Sequence, residues 1–339
     1  MRLLEDQVIL LAHGDGGQLT HRLIEEVFLA YLDNPVLADL SDAAVVEASL
    51  EGRLALTTDC FVVSPLFFKG GDIGKLAVSG TVNDLVVSGA RPLYLTAGFI
   101  LEEGLELSIL KRVVASLAAT ARQAGVTVVA GDTKVVGRGQ ADGLYINTTG
   151  LGIIPAGRHL GYDRILPGDR VVVSGYVGDH GLAVLAERKE LGILEAPSSD
   201  CAPLADLVLP LLETFPGIRM LRDPTRGGLA TTLKEIALGA KVDIWLDEEA
   251  IPVRPQCRAL AEMLGLDPLY LANEGKFVAV VAKDQAEALA KATARHPLGE
   301  AAAVIGEVRA GEGRLLLRTA YGGTRRLEML AGAPLPRIC

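Results

Sequence analysis

The feature that most limits what this chain can fold into is an alternation that occurs twice. Short β-branched stretches are separated by stretches of helical spacing on both sides of an irregular region around Pro155 to Pro167, where Gly157, Gly161 and Gly168 sit among charges. Strands separated by helices need a sheet covered by a helical layer, and an irregular Gly/Pro stretch between two such sets marks a domain boundary. In the first half, residues 44–50 and 53–57 read as a hairpin turning at Glu51-Gly52, residues 72–90 and 108–124 as helices, and residues 126–130 and 144–154 as strands. Gly150 and Gly152 cross the last of these and predict a bulge there. In the second half, strands at 170–174, 242–246, 277–282, 303–308 and 314–318 accompany helices at 180–190, 203–214, 228–238, 258–264 and 285–295. The expected class is α+β: two α/β-layer domains over residues 1–155 and 156–330, followed by a tail at 331–339. With Gly332, Pro334 and Pro336, that tail has little to pack and is expected to be mobile.

A chain of 339 residues is the right size for two such domains. Its formal net charge of -9, with no run of basic residues, argues against a general nucleic-acid binder, and 4% aromatic content weakens any base-stacking scheme. The longest uncharged stretch, Gly143 to Gly157, is 15 residues and too short to cross a bilayer. Glu5 and Asp6 precede the short apolar run from Val8 to Ala12, so no signal peptide is expected. Cys60, Cys201, Cys257 and Cys339 form no C-x-x-C pair, which points to the reducing cytoplasm. Cys339 is the last residue, whereas a prenylation box needs its cysteine fourth from the end. Its thiol needs another explanation.

Four aspartates recur at strand ends or in Gly/Thr-rich turns: Asp42, Asp59, Asp84 and Asp132. Each alone is an ordinary turn or cap residue. Gathered, they would repel and need a divalent cation, and an oxygen-only set suits Mg2+ carrying waters and nucleotide phosphates. His13-Gly14-Asp15-Gly16-Gly17 follows the first apolar run, expected to be a strand, and its glycines would let backbone N–H groups approach an anion. The dinucleotide fingerprint fails here because Leu19 stands where it needs glycine. Gly70-Gly71-Asp72-Ile73-Gly74-Lys75 only imitates a P-loop, so a nucleotide site must be of another type. Gly178-Asp179-His180-Gly181 and the run from Arg222 to Gly228 each open a helix, suiting either an anion or plain N-capping by Asp179, Asp223 or Thr225. Glu274 is a general-base candidate in a turn, while His21, His159 and His296 lack ligand spacing and are read as structural.

Together these motifs resemble the HypE family, the carbamoyl dehydratases of nickel-iron hydrogenase maturation. That family lies within the superfamily of aminoimidazole ribonucleotide synthetase, selenophosphate synthetase and thiamine-monophosphate kinase. The resemblance runs through residues 13–17, 57–68, 70–89 with Gly80-Thr81-Val82-Asn83-Asp84-Leu85, Gly131-Asp132-Thr133-Lys134-Val135-Val136, 178–181, 222–229 and 267–275. It ends on Pro336-Arg337-Ile338-Cys339, which the sister enzymes lack, and departs at Lys69, where Pro is expected.

The resemblance implies a PurM-like fold whose N-terminal halves pair into a dimeric β-barrel, with ATP near the domain and subunit interface. It implies that Asp42, Asp59, Asp84 and Asp132 hold Mg2+ and phosphate, that His13, Gly14, Gly16, Gly17, Asn83 and Thr133 contact the nucleotide, and that Lys134 neutralises phosphate charge. Glu274 becomes the base candidate. Cys339 becomes a carrier, loaded with a carbamoyl group by the carbamoyltransferase HypF and delivering cyanide to a HypC-HypD complex. A small-molecule kinase on the same scaffold, or a nucleotide-binding docking scaffold without chemistry, remain the alternatives. The tail distinguishes the first and ATP turnover the second.

Overall fold

Alternating exposure along β1 (Arg53–Phe61) gives it one covered face: Ala55, Thr57, Asp59 and Phe61 turn inward, while Leu54, Leu56, Thr58 and Cys60 stay exposed. It is followed by α1 (Ile73–Val87), β2 (Arg91–Glu102), α2 (Leu107–Gln123), β3 (Thr127–Val136) and β4 (Leu144–Ile154). The strands form a four-stranded sheet in the order β1-β4-β2-β3, antiparallel except for β2 and β3, which α2 joins as a parallel crossover. The computed structural model describes residues 8–15, 17–40, 43–46, 51–188, 197–330 and 337–338.

Helix α1 is the centre of the molecule. Asp72 caps it, its carboxylate accepting from the Gly74 and Lys75 N–H groups at 2.8 and 3.2 Å. Nearly every α1 side chain is buried, because the helix is apolar all round and packs against the first sheet, α2 and the second half of the chain. Gly74 allows this closeness: a Cβ there would sit 2.3 Å from the Val113 carbonyl oxygen of α2.

The second half contains β5 (Arg170–Val173), α3 (Asp179–Ala186), α4 (Ala205–Thr214), β6 (Ile218–Arg222), α5 (Gly228–Ala240) and β7 (Val242–Asp247). After these come α6 (Pro255–Leu264), β8 (Val278–Val281), α7 (Ala286–Thr293), β9 (Ala303–Ala310), β10 (Leu315–Arg318) and β11 (Thr324–Leu327). They build a seven-stranded sheet in the order β11-β10-β7-β9-β5-β8-β6. Its central strands are covered on both faces, which explains their unbroken valine runs. Val172, Ala279 and Val281 join the core that contains α1, and Val171, Val173, Val278 and Val280 join a second core under α5.

Several expectations are corrected. Val8 makes only an isolated bridge to Glu106 and Leu11–Gly14 is a 3-10 turn, so the first apolar run is not a strand. Strands β2 and β6 were not legible: Pro92 and Gly98 interrupt the first, and the second is five residues long. The expected bulge near Gly150 and Gly152 lies instead on the opposite strand, where Leu93 is the extra residue between Pro92 and Tyr94. Of the expected hairpin strand at 44–50, residues 44–46 are not in a strand and 47–50 lie outside the described residues.

Candidate active site

Between the two sheets lies a cleft of about 780 Å³, lined by Asp59, Asp84, Arg222, Asp223 and Arg226 among others, with a smaller recess reaching Glu274. Asp59 projects from β1 and Asp84 from α1; Asp223 and Arg226 come from the turn between β6 and α5. Thr57 donates to the Asp84 carboxylate at 2.7 Å, and the Arg226 guanidinium stands 3.9 Å from Asp59.

Burial is the main influence on all three carboxyls, and each is raised above the ordinary aspartate range. Desolvation raises Asp59, Asp84 raises it further, and Arg226 opposes. Desolvation also raises Asp84, against the Thr57 hydrogen bond and the charges of Arg222 and Arg226. Asp223 is pushed up to about 7, by burial first and then by Asp84. Asp84 raises both Asp59 and Asp223, and Asp59 adds to the effect on Asp223, so the cleft gathers carboxylates that a cation would relieve. Among the described residues no three His, Cys, Asp or Glu side chains form a ready metal cage. An ion here would take part of its shell from water or a ligand, as Mg2+ commonly does.

Two buried asparagines assemble this region. Asn83 donates to the Ala202 and Glu274 carbonyls at 3.1 and 3.3 Å and accepts from the Leu204 N–H at 2.8 Å, so α1 is clamped to the second half of the chain. Its side chain is thereby committed to backbone groups. Asn273 donates to the Pro224 and Leu271 carbonyls and accepts from the Gly178 N–H at 2.7 Å, tying the Asp223 turn to the start of α3. Glu274, next in sequence, is 3% exposed.

The remaining expected residues lie elsewhere in the chain. Asp132, Thr133 and Lys134 are within β3, an edge strand, where a turn was expected. Asp132 is in register with Gly98 and Asn147, whereas Asp59 is in register with Thr148, Ala97 and Gly131. The two carboxylates therefore sit three strands apart, roughly 14 Å, and alternation sends them to opposite faces of the sheet. His13 is buried with Nδ1 accepting from the Leu10 N–H, and Gly14 packs on Val135 of β3. Gly17 precedes the short helix Gln18–Leu23. Gly16, Asp42 and Cys339 lie outside the described residues. One chain thus gathers Asp59 and Asp84, with Asn83 and Glu274 beside them, and gathers His13, Gly14, Asp132, Thr133 and Lys134 separately around β3.

Asp223 is the principal residue that sequence reasoning passed over. Its place at the opening of a helix reads as an N-cap, yet a signal is present: a further Asp in a Gly/Thr-rich turn, three residues before an arginine.

Residues 40–154 match the AIR synthase related protein N-terminal domain and residues 167–317 the corresponding C-terminal domain. The chain is 50% identical to carbamoyl dehydratase HypE of Rhodobacter capsulatus, over 99% of each, and 49% identical to that of Escherichia coli K12, over 98% and 99%. A crystal structure of hydrogenase maturation protein HypE in complex with ATP superposes with TM-score 0.93 at 50% identity, covering 97% of this chain and 99% of that one. A HypE-HypF complex superposes with TM-score 0.80 at 46% identity, covering 91% and 99%. Built on two AIR synthase-type α/β domains and similar along its whole length to these enzymes, the chain belongs to the HypE carbamoyl dehydratase family.

Proposed function

We propose that the protein dehydrates a carbamoyl group carried as a thiocarbamate on Cys339 to a thiocyanate, at the expense of ATP, supplying cyanide for the iron centre of a nickel-iron hydrogenase. The observation that carries this reading is the cleft of three proton-hungry carboxylates, Asp59, Asp84 and Asp223, in a chain whose ATP-bound relative matches it over 97% of its length. The carboxylate oxygens of Asp59, Asp84 and Asp223 suit Mg2+ and would contribute to its shell, with water and nucleotide phosphate supplying the rest. When bound, the ion would neutralise nucleotide phosphate charge.

The chemistry divides into two steps. The carbonyl oxygen of the thiocarbamate attacks the ATP γ-phosphorus and ADP leaves, with one nitrogen proton lost. The second nitrogen proton is then removed as the C–O bond breaks, giving the S–C≡N group and phosphate. Arg226 would stabilise charge on the transferring phosphoryl group, the dominant requirement of such transfers. Glu274, buried at the inner end of the cleft, is the base candidate for the nitrogen protons.

A homodimer completes the site in this reading. The open face of the first sheet presents Leu54, Leu56 and Ile100, at 53, 70 and 44% exposure, an apolar surface suited to a second copy. Pairing two such faces as a β-barrel would bring Asp132 and Lys134, which lie on that open face, to the subunit interface, with Lys134 adding its charge on the phosphate side. HypF as carbamoyl donor, a HypC-HypD complex as cyanide acceptor and the cytoplasm as compartment belong to the same proposal. No described helix is long and apolar enough to cross a membrane.

Cys339→Ala tests the reading. It should fold and bind ATP yet accept no carbamoyl group from HypF, since alanine offers no nucleophile. Carbamoylation of Cys60, Cys201 or Cys257 instead would overturn it.

A further inference from the structure

Arg337 and Ile338, near the end of the sequence, are held in place. Ile338 is 5% exposed and belongs to the core that contains α1. The Arg337 carbonyl accepts from the Ser64 N–H at 3.2 Å and from Arg188 at 3.4 Å, and the Arg337 guanidinium pairs with Asp142. The Ile338 carbonyl lies 2.9 Å from Nε2 of His180, whose Nδ1 is 2.8 Å from the Ser199 hydroxyl.

With a neutral ring, only one placement of hydrogens satisfies this set. A carbonyl can only accept, so Nε2 carries the proton and donates to Ile338. In the neutral ring Nδ1 is then a bare acceptor, so the Ser199 hydroxyl donates to it. The Ser199 oxygen in turn accepts from the Cys201 N–H at 3.0 Å. Burial lowers the proton affinity of His180, against Asp200, which favours the neutral ring this arrangement needs. Phe68 meets the ring edge-on at 5.4 Å and fixes its plane. The turn that presents His180 is held by Asn273, through the Gly178 N–H, and the same asparagine holds the Asp223 turn of the cleft.

We propose that His180, oriented by Ser199, is the positioning residue for the chain's own C-terminus, gripping the peptide that leads into Cys339. This rests on the reading of Cys339 as the carrier. His180 touches no reacting atom in it; it narrows the positions from which the loaded sulfur can approach the cleft, which is how a tethered substrate gains proximity.

The test uses the full-length protein and two readouts: the iodoacetamide alkylation rate of Cys339, followed by peptide mass spectrometry, and single-turnover dehydration of carbamoylated protein at saturating ATP. His180→Phe keeps an aromatic ring but removes the donor, and should raise the alkylation rate roughly fivefold, as expected for one lost hydrogen bond. It should slow dehydration by a similar factor without changing ATP affinity. His180→Gln, whose amide N–H reaches the Nε2 position, should restore both. Ser199→Ala, at a partly exposed position, should give an intermediate result. Wild-type alkylation rates in folded His180→Phe and in Ser199→Ala would overturn the proposal, as would a His180→Gln variant no better than phenylalanine. If wild-type protein shows protected Cys339 but no dehydration, the functional reading fails while the docking stands.

Discussion

Asn83→Ala separates a clamp from a nucleotide ligand. In the structure the Asn83 side chain is 1% exposed and spends its hydrogen bonds on Ala202, Leu204 and Glu274. The Glu274 carbonyl keeps a second donor, the Ala202 N–H at 3.3 Å, so truncation leaves two buried backbone groups without that partner, the Leu204 N–H and the Ala202 carbonyl. Each costs about 1–3 kcal/mol, so we expect a loss of roughly 3–4 kcal/mol. Unfolding entropy scales to about 0.7 kcal/mol per degree for 339 residues, and α1 shares its core with the second half, so both halves should melt together. The expected drop in Tm is therefore about 5 °C by differential scanning calorimetry, with ATP affinity by titration calorimetry largely retained. Asn83→Asp should do no better, because it keeps the acceptor for Leu204 but turns a carboxylate oxygen toward two carbonyls. A Tm within one degree of wild type together with lost ATP binding would refute this reasoning and make Asn83 a ligand.

Asp84→Asn and Asp223→Asn should fold but lose more than tenfold in Mg-ATP affinity by titration calorimetry, since each removes a charged oxygen from the cation's shell; unchanged affinity would remove them from the site. Asp223 also makes the metal-free protein pH-dependent. Its folded-state value of about 7 lies above the ordinary 3.8, so the folded state binds the proton more tightly and stability falls as pH rises from about 4 to 7. The ceiling is on the order of 4 kcal/mol; partial solvent access reduces it, and Asp223→Asn should flatten the decline in Tm between pH 5 and 8 in EDTA. Leu56→Glu should convert a dimer into a 35.7 kDa monomer by light scattering, and a wild-type protein already monomeric at tens of micromolar would contradict the pairing. Lys134→Ala should depress phosphate release, whereas Glu274→Gln should let a phosphorylated or carbamoylated tail accumulate; unimpaired dehydration in Glu274→Gln would exclude it as the essential base.

The division into two α/β layers was legible because periodicity survives in single segments: the valine runs at 171–173 and 278–281 and the apolar face of α2 need no knowledge of their neighbours. Strand β2 was not, because Pro92 and Gly98 weaken a signal that long-range pairing with β3 and β4 supplies. The site was half legible for the same reason. Asp59 and Asp84 announce themselves by Gly/Thr context, but only tertiary structure brings Asp223 to them and turns Asp132 to the opposite face of the sheet. The role of Asn83 was hidden because an asparagine before an aspartate looks identical as a ligand or as a clamp. The turn carrying His180 was legible, but its contact with Ile338 was not, because that partner is 158 residues away in sequence.

The most direct test of the account follows carbamoylated wild-type protein through a single ATP addition, reading the C-terminal peptide by mass spectrometry and inorganic phosphate in parallel. The account predicts that the peptide bearing Cys339 becomes lighter by one water while phosphate appears in a one-to-one ratio with the dehydrated peptide. Phosphate released with the carbamoyl group unchanged, or dehydration that proceeds without ATP, would contradict it.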